Sequence, residues 1–191
     1  MLSPNGDGVG DSEQLSYKIV RPSTVTAKIV GADGVARFTQ SGPQAPGTYK
    51  FSSTGTKTDG TVDTEGRWHW LVTAVDDLGR QSSADQPFWV NNTLGSLRVP
   101  RTVRVRAGRR LTLGTFKLTR SATVTTRVES TNGVVVRKLG SAKIGAGTAS
   151  VRWDGRDRRG NLVYGGRYVL RVSAQNQFGP TDLTQGFLAH R

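Results

Sequence analysis

The side chains best suited to chemistry stand near the start of the chain, in the run SPNGDGVGD from Ser3 to Asp11. Asn5, Asp7 and Asp11 present oxygen at alternate positions, the Val9 carbonyl lies between them, and Gly6 and Gly8 permit a tight wrap. Calcium asks for such a set, because it takes six to eight oxygen ligands at about 2.3–2.6 Å, and an EF-hand-type loop spaces them over alternate residues. Counting from Ser3, Gln14 stands at the twelfth position, where such loops carry a bidentate Glu. Two readings follow. One is a calcium site on Asn5, Asp7, Val9 and Asp11; the other is a metal-free Asx/Gly turn leading into the first strand.

A second chemistry is anion binding. The chain carries a net charge of +13, unevenly placed: residues 1–96 hold 8 Lys/Arg against 10 Asp/Glu, whereas residues 97–191 hold 19 against 4. Arg98, Arg101, Arg104, Arg106, Arg109 and Arg110 crowd into one short stretch. In the run TVRVR, Val103 and Val105 point one way and Arg104 and Arg106 the other, which predicts a basic stripe on one sheet edge. Wall polymers of the teichoic type, acidic polysaccharides or nucleic acid would supply the anion. No groove-reading helix or RNP aromatic pair is present, so sequence-specific nucleic-acid reading is not expected. The plain structural reading is that edge strands carry charge to prevent aggregation.

Catalysis finds little support. With no cysteine, disulfides, thiolate metal sites and Cys nucleophiles are excluded. The two histidines are His69, read as an outward-facing residue without a partner, and His190, next to the end of the sequence. No G-x-S-x-G, H-E-x-x-H or phosphate loop occurs. Asp76 and Asp77 flank a turn at Gly79, and the spacing of Asp154 and Asp157 around Gly155 suits side chains that cap loop amides. The expectation is no enzyme and no cofactor, calcium apart.

The elements that must position these residues are strands. Residues 151–174, VRWDGRDRRGNLVYGGRYVLRVSA, read as a strand carrying Trp153, a glycine-bracketed connection, and a second strand with Tyr168, Leu170, Val172 and Ala174 on one face. Asp154-Gly155 stops the first strand and Gly165-Gly166 opens the second. The chain holds this plan twice. A shift of 100 aligns Gly47 with Gly147, Gly55 with Gly155, Gly60 with Gly160, Gly66-Arg67 with Gly166-Arg167, and Gly79 with Gly179. A shift of 99 aligns Tyr17 with Phe116 and Gly34 with Gly133. A period near one hundred residues suits whole domains.

Gly, Thr, Ser and Val are plentiful, 3.6-period apolar stripes are missing, and no apolar run nears the ~18 residues of a membrane span. The fold class is therefore all-β, two tandem antiparallel β-sandwich domains over residues 1–94 and 95–191, with residues 91–96 as a short linker. Asp33-Gly34 and Asn132-Gly133 predict hairpins, and residues 41–47, SGPQAPG, predict a loop. In the first domain Ser53 and Thr54 stand where Trp153 and Asp154 stand in the second, and Trp68 with Trp70 is expected to refill that volume. Met1 ahead of LSPNGDG reads as a start placed before a piece of a longer protein, whose signal peptide is expected upstream.

WDGRDRRGNLVYGGRYVLRVSA, preceded by Ala146-Gly147-Thr148, resembles the FlgD Ig-like domain of the flagellar hook-capping family, and LSPNGDGVGD is similar to the SPNGDG opening of Ig-like modules in exported bacterial proteins. Trp153, Asp154, Gly155, Asp157, Gly166 and Tyr168 carry that resemblance as structural residues. It implies Ig-like sandwiches without a cofactor, a monomeric fragment, and an extracellular or cell-surface place beside a protein or cell-wall polymer partner.

Overall fold

The computed structural model describes residues 1–6, 8, 10–56, 61 and 63–191. The described residues form strands, turns and bends, and no helix among them is long and apolar enough to cross a membrane. Contacts divide the chain into two compact units, Met1–Asn91 and Asn92–Arg191. Both are Ig-like β-sandwiches.

The first unit contains β1 (Glu13–Ile19), β2 (Ser23–Val30), β3 (Ala36–Gln44), β4 (Gly47–Ser53), β5 (Gly66–Asp76) and β6 (Gln81–Val90). One sheet has the order β3-β2-β5-β6 and the other pairs β1 with β4, all antiparallel. Alternation drives the assembly: Trp68, Trp70, Val72 and Ala74 of β5 turn inward against Val25, Ala27 and Ile29 of β2. Phe51 stacks on Trp70 at 5.5 Å and meets Phe38 at a tilt, 4.1 Å between ring centres, and Tyr17 stacks on Tyr49 at 5.5 Å. Leu2 completes this core, fully buried, with a parallel bridge to Val90.

The second unit contains β7 (Leu94–Arg98), β8 (Thr102–Arg104), β9 (Leu111–Leu118), β10 (Ala122–Ser130), β11 (Val135–Ile144), β12 (Gly147–Trp153), β13 (Gly166–Asn176) and β14 (Gly179–His190). Its sheets run β11-β10-β13-β14-β8 and β12-β9-β7. The four strands β11-β10-β13-β14 repeat the order of β3-β2-β5-β6, and β12-β9 repeats β4-β1. The β8–β14 pair alone is parallel in this unit, as the Leu2–Val90 bridge is in the first. Trp153, Phe116, Leu113, Leu118, Val128 and Leu170 fill the core.

Two local expectations give way. The segment 41–44 is strand, the end of β3, where Pro43 is tolerated because β3 lies at a sheet edge and needs no outward N–H. The expected linker also contains structure: Thr93 and Leu94 are fully buried, Leu94 opens β7 opposite Leu118, and β7 bulges around Ser96 at φ 53°. Polar neighbours hid the start of a strand whose Leu94 is fully buried and whose Leu97 packs, partly buried, against the same core.

Candidate functional site

The glycine-bracketed connection between β12 and β13 is built around Trp153. Its indole is 1% exposed, its Nε1 donates to the Arg156 carbonyl at 3.0 Å, and its ring meets Phe187 and Tyr168 edge-on at 5.9 and 6.4 Å. Asp154 Oδ1 accepts the Arg156 N–H at 3.1 Å. Asp157 Oδ1 accepts the N–H groups of Arg159 and Asn161, both at 2.9 Å. Gly155 takes φ 72°, and its carbonyl accepts from Val163 N at 2.9 Å. Gly166 opens β13 opposite Ala189, and half-buried Tyr168 donates its hydroxyl to the Tyr164 carbonyl at 3.0 Å. Arg137 closes the arrangement from β11, donating to the Asp157 carbonyl at 2.9 Å. These six residues form a fold-bearing corner whose carboxylates are occupied by backbone amides.

The strand–corner–strand around that indole carries the sequence signature as well. Residues 102–177 match the FlgD Ig-like domain. The FlgD Ig-like match thus spans the described strands from β8 to β13. Among solved structures, dimeric latent PorU from Porphyromonas gingivalis aligns with 93% of this chain at 16% identity and TM-score 0.39, and this chain spans 18% of its length. The fibronectin(III)-like modules of Clostridium thermocellum CbhA align with 94% of this chain and 85% of their own at 17% identity and TM-score 0.31. A 1.5-MDa bacterial ice-binding adhesin aligns with 94% of this chain and 57% of its own at 20% identity and TM-score 0.27. A comparison with curated proteins finds no match.

The basic stretch is exposed throughout: Arg98, Arg101, Arg104, Arg106, Arg109 and Arg110 all face solvent, over buried Val99, Val103 and Val105. It is not one sheet edge. Arg98 ends β7, the edge of the three-stranded sheet, and Arg104 ends β8, the edge of the five-stranded sheet. Arg101 lies in the crossing between them, and Arg106, Arg109 and Arg110 lie in the turn before β9. The chain crosses from sheet to sheet here, so period-2 alternation could not place all six. None of the six guanidinium groups meets a carboxylate among the described residues. Other arginines of this unit do: Arg127 and Arg171 pair with buried Glu129.

At the opposite end of the sequence, Asp11 organises the polar loop. Its Oδ1 accepts from Asn5 N at 3.0 Å and Gly6 N at 2.9 Å, and its Oδ2 accepts from Gly8 N at 2.7 Å. Asp7 and Val9, the other two candidate calcium ligands, lie outside the described residues. Among the described residues no group of three or more acidic, His or Cys side chains is placed to hold a metal ion. Both Asp11 carboxylate oxygens thus accept backbone amides, the pattern of a tight Asx/Gly turn.

His69 corrects the sequence reading. It is half-exposed but has a partner: Nδ1 lies 2.8 Å from Asp85 Oδ1 across β5 and β6. His69 faces Pro87 in the register and Asp85 faces Leu71, a diagonal contact that no single-strand pattern reveals. No nucleophile stands beside the pair among the described contacts, so its geometry is that of a cross-strand hydrogen bond.

Proposed function

We propose that the chain is a pair of non-catalytic Ig-like modules, copies of one body, that serve a larger bacterial exported protein at the cell surface as spacer, anchor or assembly surface. One observation supports this reading: among the described residues, four of the carboxylates that sequence spacing offers to catalysis or metal binding accept the amides of their own turns. Asp11, Asp154 and Asp157 do so as described, and Asp76 Oδ1 accepts the N–H groups of Leu78 and Arg80, both at 2.9 Å. A carboxylate already accepting backbone amides is poorly placed to act as base or nucleophile. The test mixes the chain with isolated bacterial envelopes. Saturable retention with no fragments released supports the module reading; turnover of envelope material overturns it.

A second reading, polyanion binding through the second unit, is favoured by the six exposed arginines, which meet no carboxylate among the described residues. The ligand class is a cell-wall polymer or acidic polysaccharide, held by charge and not by sequence. Replacing Arg104, Arg106, Arg109 and Arg110 by Ser should lower the salt concentration at which the full chain leaves a teichoic-acid or heparin column, because each lost ionic contact removes counterion release. Elution unchanged by the four substitutions contradicts this reading.

A further inference from the structure

We propose that the first unit holds an open seat for one more strand, on the free side of β1. Its occupant is an extended segment of a partner protein, paired antiparallel with β1, with an aliphatic side chain set against Ile19 and Ala74. The second unit supplies the pattern. There β9 has two neighbours, β12 and β7, and Leu94 of β7 is fully buried opposite Leu118. In the first unit β1 pairs with β4, and among the described residues no strand lies on its other side. A strand left open in this way offers a row of backbone N–H and C=O groups to which an extended peptide can add itself.

The face that such a strand would cover is bare. Ala74, Val72 and Trp70 pair with Ser82, Ala84 and Gln86 of β6, as Ala174, Val172 and Leu170 pair with Thr181, Leu183 and Gln185 of β14. In the second unit β7 lies against β14, and Thr181 and Leu183 are buried. Their counterparts Ser82 and Ala84 are exposed, and so is Gln86. The Gln185 amide holds the covering chain just past β7: its Oε1 accepts from Val99 N at 3.0 Å and its Nε2 donates to the Val99 carbonyl at 3.3 Å. Gln86 keeps the same amide at the same register position, with no partner among the described residues.

A cavity marks the place of the added strand's apolar side chain. It encloses about 250 Å³ between the end of β1 and the start of β6, with Ile19, Ala74 and Ser82 among its walls. Ile19 is the counterpart of Leu118, since Gly47 faces the one and Gly147 the other. The cavity therefore lies where Leu94 sits in the second unit. The arginines on its rim are already paired, Arg21 with Asp77 and Arg80 with Asp76, which leaves main-chain hydrogen bonds and an apolar contact to do the recognising. A second copy of this chain is the poorer occupant. Its β7 is already seated in a core, and two β1 edges laid together would leave Ser82, Ala84 and Gln86 uncovered.

The proposal rests on the assembly reading, but peptide binding and envelope retention are measured separately, so either can fail without the other. The experiment titrates the full chain with a capped peptide of the sequence of residues 92–99, NTLGSLRV, and with the same peptide carrying Leu94→Asp. Binding is followed by calorimetry and backbone amide shifts. The expected result is one saturable site per chain, shifting amides at Lys18, Ile19, Ala74, Ala84 and Gln86. The Leu94→Asp peptide should bind about tenfold more weakly, for want of a buried aliphatic side chain. In the protein, Gln86→Ala should weaken binding about fivefold and Ala84→Arg should block the seat. Both substitutions fall on exposed positions; should either chain fail to fold, the pair of peptides and the amide map decide. Equal affinity for the two peptides, shifts confined to β9 and β14, or undiminished binding in the Ala84→Arg chain would overturn the proposal. So would a concentration-dependent dimer in sedimentation that Ala84→Arg abolishes, which would give the edge to a second copy.

Discussion

Val105 lies directly against Gly155: a Cβ built on the glycine would stand 2.8 Å from the valine Cβ, a distance side chains do not tolerate. The glycine also sits at φ 72°, in the left-handed region. Two demands therefore fall on one residue, a turn sign that L-residues resist and a surface on which the chain leading to β9 rests. In the first unit Gly55, at φ 64°, lies under Leu2 in the same way, but the nearest atom is a terminal methyl, Leu2 Cδ2 at 2.7 Å.

That difference gives a prediction. Gly155→Ala should destabilise the second unit by about 2–4 kcal/mol, the sum of left-handed strain and a clash against a Cβ that cannot swing away. Gly55→Ala should cost less, about 1–2 kcal/mol, because a leucine methyl can turn aside. Urea denaturation of each full-length variant checks the order; equal losses would show that Val105 is not pinned against the corner.

Buried Glu129 supplies a second. It accepts from Arg127 Nε and from Arg171 Nε at 3.1 Å, and its side chain is 4% exposed while the two arginines are about a third exposed. Glu129→Gln should lower stability by about 1–3 kcal/mol, the usual range for hydrogen bonds to a charged group, discounted for the solvent reaching the arginines. A midpoint unchanged within error would mean that solvation of Arg127 and Arg171 replaces the contact fully.

The two units should respond to opposite ends of the pH scale. Hydrogen bonds from Arg37, Arg80 and Arg21 hold Asp33, Asp76 and Asp77 below the usual carboxylate range, all in the first unit. A folded-state pKa below the unfolded value adds stability that is present above about pH 3.9 and lost as pH falls through the folded values. Burial, first among its causes, raises the Tyr168 phenol in the second unit. A raised folded pKa gives stability that is present below about pH 10 and lost as pH rises through the folded value. Methyl NMR during urea unfolding, with Ile29 reporting one unit and Leu170 the other, should show the first unit weakening in acid and the second in alkali. Parallel losses at both extremes would contradict the assignment.

Much of this architecture was legible before any coordinate. The shift of 100 that aligns Gly55 with Gly155 also aligns the register, since Gly47 faces Ile19 as Gly147 faces Leu118. Alternation placed Trp68, Trp70, Leu170 and Val172 inside, where they are buried. What stayed hidden depends on contacts across strands. Asp85 reaches His69 from a neighbouring strand, Asp11 folds back on amides five and six residues earlier, and Arg98 and Arg104 fall on different sheets because the chain crosses between them. Local periodicity reports which face a residue takes, and says nothing of which strand will lie beside it. The shallow Leu94–Arg98 strand was missed for a related reason: one buried leucine is too short a signal to set against the polar residues around it.

The account depends on each unit having a core of its own, and amide hydrogen exchange on full-length Trp153→Ala tests this most directly. The substitution should cost the second unit about 3–5 kcal/mol, the range for deleting a buried large aromatic. Protection should fall across β9 to β14 and stay at the level of the unsubstituted chain in β2 and β5. Equal loss of protection in β2, β5, β10 and β13 would mean that a single cooperative core spans the chain, and the two-module account would fail.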